Sequence, residues 1–251
     1  MIELVNHLSH SDLADLLCLS YQSLSCNNHR ELKSLVLGLN KLFYFENAVC
    51  AQGNVQELVQ SDPEPDINVF DISYPAGYLD LYFEKQYHYT DAVFCEFVTN
   101  LSPVYWNDVD KVCGESYPAS VMALDFNMKD GWTHGTIDPH STNCSVFFFG
   151  GPSAGKDIRT YKILEYIIPF YSVAYQRVLK RTAKVAHKLT KKEMEVLSWI
   201  KEGKTSWDIS MILNCSKRVV EFHVENIKKK LNAINRAQAV AIGLQHGVIS
   251  F

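Results

Sequence analysis

From Leu189 to Gln245 the chain breaks into four short segments, each with its own helix start and stop, and this punctuation constrains the fold more than any other feature. Thr190 stands three residues before Glu193, the pairing of a capping box, and Met194, Val196, Leu197 and Ile200 supply an apolar face before Gly203 ends the segment. Ser206 is placed to cap a second short helix with Ile209, Ile212 and Leu213 inward. Asn214 suits a left-handed turn, Ser216 caps a third helix, and Val220, Val224, Ile227 and Leu231 fall on one stripe of it. A fourth helix begins at Asn235, with Gln238 in the capping position. A short helix, a tight turn and a longer helix make a helix-turn-helix.

Charge divides the chain at the same place. Of 24 Lys and Arg and 28 Asp and Glu, 14 and 6 lie from residue 180 onward and 10 and 22 before it, so the tail carries +8 and the body −12. A basic tail on an acidic body points to contact with nucleic acid or a membrane surface in the tail alone. On the third helix, the side opposite the apolar stripe is Arg218, Phe222, Glu225 and Lys229, with Glu221 and Lys228 alongside. Lys217, Arg218, Lys228, Lys229 and Lys230, at its two ends, are placed for phosphates. A solvated charged face remains the alternative.

The tail resembles the four-helix DNA-binding domain of the LuxR family without a gap over about 60 residues, from Leu189 through Gly203, Lys204, Ser216, Val220, His223, Lys230, Asn235 and Arg236. Val219 stands where the family usually has threonine, and Asn214 where it has glycine. The resemblance implies that Glu221, Phe222 and Glu225 face bases, at positions where Lys or Arg is frequent at the first and last. It also brings Lys204, Ser216 and Arg236 into the DNA-contacting set. A carboxylate suits cytosine N4 and a phenyl ring a thymine methyl. Two readings stay open: the acids choose the site, or they only pair with Arg218 and Lys229 at helical spacing.

In the body, residues 11–25 and 30–44 have helical spacing, QSDPEPDIN (60–68) reads as an exposed loop, and YLDLYFEKQYHY (78–89) returns to helix. CSVFFFGG (144–151) reads as a strand, and a long helix follows from 156 to about 180. The expectation is a sheet covered by helices. The long helix is apolar on more than one side, which serves either core or a subunit interface.

YPAGYLDLYFEKQYHYTDAV, then SPVYW and DGWTHGT, resembles the autoinducer-binding domain that precedes this helix-turn-helix in quorum-sensing regulators. The resemblance implies an α/β/α sandwich with the ligand between sheet and helices, and it assigns ligand contacts to Tyr74, Tyr78, Tyr82, Asp91, Val93, Trp106 and Gly131. An acyl-homoserine lactone fits that chemistry: Asp91 accepts from its amide N–H, Tyr82 donates to a carbonyl, and Trp106 walls the acyl chain. Tyr78 in place of the family's tryptophan, and Ala92 in place of proline, leave a lactone and another small apolar signal or metabolite both open.

Other signals weigh less. GGPSAGKD (150–157) matches a phosphate-cradling loop except that Asp157 occupies the hydroxyl's place, and its ordinary reading is a glycine turn leaving a strand. His134, His140 and Cys144 match no common zinc spacing. Seven widely spaced cysteines without a CxxC pair suit a reducing compartment, and neither a secretory leader nor a membrane span is evident.

These readings combine into an α/β fold class with an all-α helix-turn-helix tail: a sensing domain at 1–180, a linker at 181–188 and a DNA-binding domain at 189–251. The expected protein is a cytoplasmic, homodimeric transcriptional regulator, not an enzyme, without cofactor or metal, whose partners are double-stranded DNA and a small-molecule signal. The alternative is a regulator without ligand sensing whose body serves dimerisation or a partner protein.

Overall fold

The computed structural model describes residues 6–59, 67–113, 118–138, 141–186 and 189–249. The expected loop at 60–68 lies mostly outside these, as does His140. The chain divides into two compact units, residues 1–25 with 33–175, and 26–32 with 176–251.

The first unit is built on a five-stranded sheet: β1 Asn47–Asn54, β2 Asn68–Asp71, β3 Val104–Tyr105, β4 Asp130–Ile137 and β5 Asn143–Gly151. Their order is β2-β1-β5-β4-β3, and every neighbouring pair is antiparallel. Its helices are α1 His10–Ser25, α3 Val55–Val59, α4 Tyr78–Glu84, α5 Ala92–Asn100, α6 Trp106–Cys113 and α7 Pro118–Asp125, and it holds the larger parts of α2 His29–Leu37 and of the long α8 Ile158–Ala186, whose remainders belong to the second unit. The expected helix at 30–44 ends at Leu37 and continues as a 3-10 turn, Gly38–Lys41, while the expected helix at 78–89 stops at Glu84.

Strand alternation gives the sheet two apolar faces. Phe147 and Phe149 turn to one of them, where Phe147 meets the rings of Tyr171 and Tyr175 on α8 at 6.3 and 6.1 Å. Tyr171 and Tyr175 are fully buried, and their hydroxyls donate to the Leu35 and Asn68 carbonyls. Ile163, Leu164, Ile167, Ile168 and Ala174 are buried too, so core packing accounts for most of that helix's broad apolar surface, with Val173 left exposed. Pro169 lies inside α8 rather than ending it. Proline removes one helical hydrogen bond, and here the residues involved, Glu165 and Pro169, are both exposed.

In the second unit, α9 Lys191–Lys201, α10 Ser206–Ile212, α11 Lys217–Leu231 and α12 Arg236–Gln245 surround a core of Leu189, Val196, Leu197, Ile209, Val220, Val224, Ile227, Leu231, Ala239 and Ile249. The Thr190–Glu193 capping box forms, Asn214 is left-handed with φ +48°, and the Ser216 and Asn235 side chains cap α11 and α12. Two expectations are corrected. The cap of α10 is Thr205, not Ser206, because Asp208 stands three residues on and completes a second capping box. Ile212 is exposed, because the seven-residue helix brings only Ile209 fully into the core. The segment expected as a linker at 181–188 is helical as far as Ala186, since its alanines and long basic side chains favour helix where no breaker intervenes.

Candidate ligand cavity and nucleic-acid interface

The second sheet face carries Val49, Ala51 and Gly53 opposite Phe148, Val146 and Cys144 in register. All six line a cavity of about 380 Å³, closed from the helical side by residues of α4, α5, α6 and α7. Its volume lies within the range of small-molecule sites.

Asp91 is a buried carboxyl in its lining. Residue 91 caps α5: Oδ1 accepts from the Val93 and Phe94 N–H groups at 2.9 and 3.1 Å, and Oδ2 accepts from the Tyr82 hydroxyl at 2.8 Å. Burial pushes its carboxyl above the usual range, against the pull of these three donors. A carboxylate has about four acceptor positions, so Oδ2 has capacity for one further donor. Tyr78 stacks on Tyr82 with centroids 6.1 Å apart, and packs edge-on against Tyr74 and Phe126. It is 7% exposed, and burial and then the Asp91 charge raise its hydroxyl well above the ordinary value.

Trp106 behaves differently from a donor to ligand. Its indole Nε1 donates to Thr133 Oγ1 at 2.8 Å. The ring lies on glycines of the sheet: a Cβ on Gly131 would stand 2.6 Å from ring carbons and 2.5 Å from the Phe149 carbonyl oxygen, and one on Gly150 would stand 2.7 Å from the ring. Trp106 is therefore a wall with a satisfied polar edge.

Of the seven residues expected at the ligand, Tyr74, Tyr78, Tyr82, Asp91, Val93 and Trp106 line this one cavity. Gly131 does not. It lies beneath the indole and makes room for the wall. Tyr82, expected to donate to a ligand carbonyl, donates its hydroxyl to Asp91 in this structure. Phe83, Phe94, Ala119, Ala123, Met128 and Phe148 also line the cavity and were missed. The alternation of CSVFFFGG could have singled out Phe148; the others carry no signal beyond being apolar.

The loop resembling a phosphate cradle is occupied by the protein's own bonds. Gly155 N donates to Asp130 Oδ2 at 2.9 Å, its carbonyl accepts from Trp132 Nε1 at 3.0 Å, and Asp157 accepts from Thr160 N at 2.6 Å as α8 begins. His134 is buried, which lowers its pKa to about 4, and no metal-ligating cluster occurs among the described residues.

On α11 the buried stripe is Val220, Val224, Ile227 and Leu231, while Lys217, Arg218, Glu221, Phe222, Glu225 and Lys229 are exposed and Lys228 is half-buried. The acids do pair at helical spacing, but with other partners than expected: Glu221 with Lys217 at 3.6 Å and Glu225 with Lys228 at 2.7 Å. Phe222 is 63% exposed. Lys204 and Ser216 are exposed, and Arg236 is half-buried with Nε and Nη2 lacking a partner. Lys230, expected to contact phosphate, instead reaches Glu193 Oε2 at 2.6 Å and ties α11 to the start of α9.

A sheet-and-helix unit enclosing a small-molecule cavity, together with a helix-turn-helix, defines the class of ligand-controlled DNA-binding regulators. The model of the autoinducer binding domain matches residues 28–177, and that of the luxR family of bacterial regulatory proteins matches residues 187–242. The chain belongs to the LuxR family, a family of transcriptional regulators and not of enzymes. It is 27% identical over 234 residues to the transcriptional activator LuxR of Aliivibrio fischeri, covering 90% of this chain and 91% of that one. Identity to the transcriptional activator BjaR1 of Bradyrhizobium diazoefficiens is 30% over 183 residues, covering 70% and 74%. Among solved structures, SdiA in complex with octanoyl-rac-glycerol has a TM-score of 0.55 at 20% identity, covering 97% of this chain and 99% of that one. The N-acylhomoserine lactone dependent CepR2 of Burkholderia cenocepacia has a TM-score of 0.52 at 18% identity, covering 67% and 94%. No helix among the described residues is long and apolar enough to cross a membrane.

Proposed function

We propose that the cavity takes an acylated signal with a small polar head, an acyl-homoserine lactone or a close analogue, and that its occupancy sets the DNA-binding state of a homodimer. The observation that carries this reading is the buried Asp91, with acceptor capacity left at Oδ2, in the lining of a cavity that is mostly apolar and aromatic, Gln52, His88, Asn107, Ser120 and Lys129 being its other non-aromatic polar members. A ligand N–H or O–H fills that capacity, and the aromatic and aliphatic lining takes the chain. CepR2 is named as lactone-dependent and SdiA was solved with an acylglycerol, so both kinds of acyl head belong in the test. Relatives named as activators support activation of transcription over repression.

Residues 1–180 are the sensor and 189–251 the DNA-binding domain, joined through 181–188, in a protein of the cytoplasm. Tyr74, Tyr78, Tyr82, Asp91, Val93 and Trp106 surround the ligand. Lys204, Ser216, Lys217, Arg218, Lys228, Lys229 and Arg236 hold the DNA backbone, while Glu221, Phe222 and Glu225 face bases. A cavity of about 380 Å³ favours sensing over a body used only for dimerisation. Mass spectrometry of protein purified from cells grown with and without added N-octanoyl-homoserine lactone or octanoylglycerol tests the sensing reading. A stoichiometric acyl ligand is expected, and an empty cavity under every condition contradicts it.

A further inference from the structure

We propose that His29 and His246 form a proton-sensitive clasp within the second unit: while both rings are neutral the start of α2 stays packed on the turn at Gly247, and acidification releases it. Residues 26–32 belong to the same compact unit as 176–251, although they lie near the other end of the chain. Two contacts fasten them. Arg177 Nη1 donates to the Cys26 carbonyl at 3.0 Å. Just past α12, Gly247 is left-handed with φ +65°, and a Cβ there would stand within 2.8 Å of Cε1, Nδ1 and Nε2 of the His29 ring. The backbone lies directly on the imidazole, in a conformation and at a distance that suit glycine alone. Cys26, Asn28 and Leu32 of the same segment are buried.

The clasp sets two titratable rings side by side. His246 immediately precedes Gly247 and caps α12, and the Nδ1 atoms of both histidines are buried. The charged and titratable groups of the segment and of the neighbouring part of α8 are turned to other tasks or to solvent. Glu31 accepts from Asn27 N at 2.8 Å, Arg177 holds the Cys26 carbonyl, and Arg30, Lys180 and Arg181 are exposed. Burial pushes the Cys26 thiol up to about 11, so it stays neutral. Burial first, and the His246 charge second, lower the pKa of His29 to about 4. The packed state therefore favours the neutral ring: its contribution is fully present above the ordinary value near 6.5 and is lost as pH falls from there toward 4.

The test treats the full-length protein with a dithiodipyridine thiol reagent at pH 7.5 and 5. Peptide mass spectrometry reads the labelling rate of buried Cys26 against exposed Cys18, with buried Cys144 of β5 reporting global unfolding. In wild type the ratio of Cys26 to Cys18 rises about 30-fold at pH 5, while Cys144 stays slow. His29→Gln removes the titrating ring and with it most of the rise. Gly247→Ala pushes the ring off the turn, so Cys26 labels at least about fivefold faster than in wild type already at pH 7.5. A wild-type ratio that is the same at both pH values overturns the proposal, as does a full rise that persists in His29→Gln, or Cys26 labelling only in step with Cys144. The wild-type comparison decides even where a variant fails to fold, and it requires neither ligand nor DNA.

Discussion

Asp91 is the residue on which the sensing account turns. Asp91→Asn keeps the volume but replaces one carboxylate oxygen with an amide donor. A hydrogen bond to a charged group contributes about 1.5–3 kcal/mol, so the substitution weakens binding of an N–H-bearing acyl ligand about 10- to 100-fold in a thermal-shift or calorimetric titration. Gly131→Ala tests the wall. Its Cβ would meet the Phe149 carbonyl and the Trp106 ring, an overpacking that costs about 1–3 kcal/mol and lowers the melting temperature of the sensor. His134 gives a pH dependence. With its pKa lowered to about 4 by burial, the fold favours the neutral ring, so the contribution is fully present above the unfolded value near 6.5 and is lost as pH falls from there toward 4. The full effect is about 3 kcal/mol. Melting temperatures at pH 7.5 and 5 fall less far apart in His134→Gln than in wild type.

At the scale of elements, the start of α9 and the end of α11 are joined by the buried Glu193, which accepts from Thr190 N at 2.7 Å and from Lys230 Nζ. Burial opposes its ionisation, but the Lys230 and Thr190 donors outweigh it and hold its pKa below the ordinary value. This contribution is present above the unfolded value and is lost as pH falls through the folded one. Glu193→Ala removes the charged bonds and destabilises the DNA-binding unit by about 2–3 kcal/mol, read from chemical denaturation. On the recognition helix, Glu225 pairs with the half-buried Lys228 from the exposed side, and pairs at the surface contribute about 0–1 kcal/mol. Glu225→Gln therefore barely changes stability, and in selection from random DNA it changes the preferred bases; unchanged preference assigns the acid to surface pairing alone. The caps at Thr190, Ser216 and Asn235 were legible because they are local chemistry, repeated within four residues. The Thr205 cap was missed in favour of its neighbour Ser206, since two adjacent hydroxyl residues both qualify until the acidic partner three residues on is considered.

For the whole molecule, two units with different jobs were legible from the charge division and the capped tail. The cavity was legible only as a spaced set of residues, because its aromatic members are individually indistinguishable from core. The role of Gly131 was not legible, since it depends on an indole brought in from a separate segment across the sheet. The helical course of the expected linker as far as Ala186 was not legible, because weak apolar periodicity does not by itself end a helix. What joins the two units functionally is ligand control, which requires the ligand to favour one DNA-binding state over the other. The most direct test is the affinity of the full-length protein for duplex DNA at fixed salt, with and without N-octanoyl-homoserine lactone or octanoylglycerol, in wild type and Asp91→Asn. The account predicts that at least one acyl ligand shifts the wild-type affinity about fivefold or more and leaves that of Asp91→Asn unmoved; a wild-type affinity that is identical with and without ligand while the ligand is shown to be bound contradicts it.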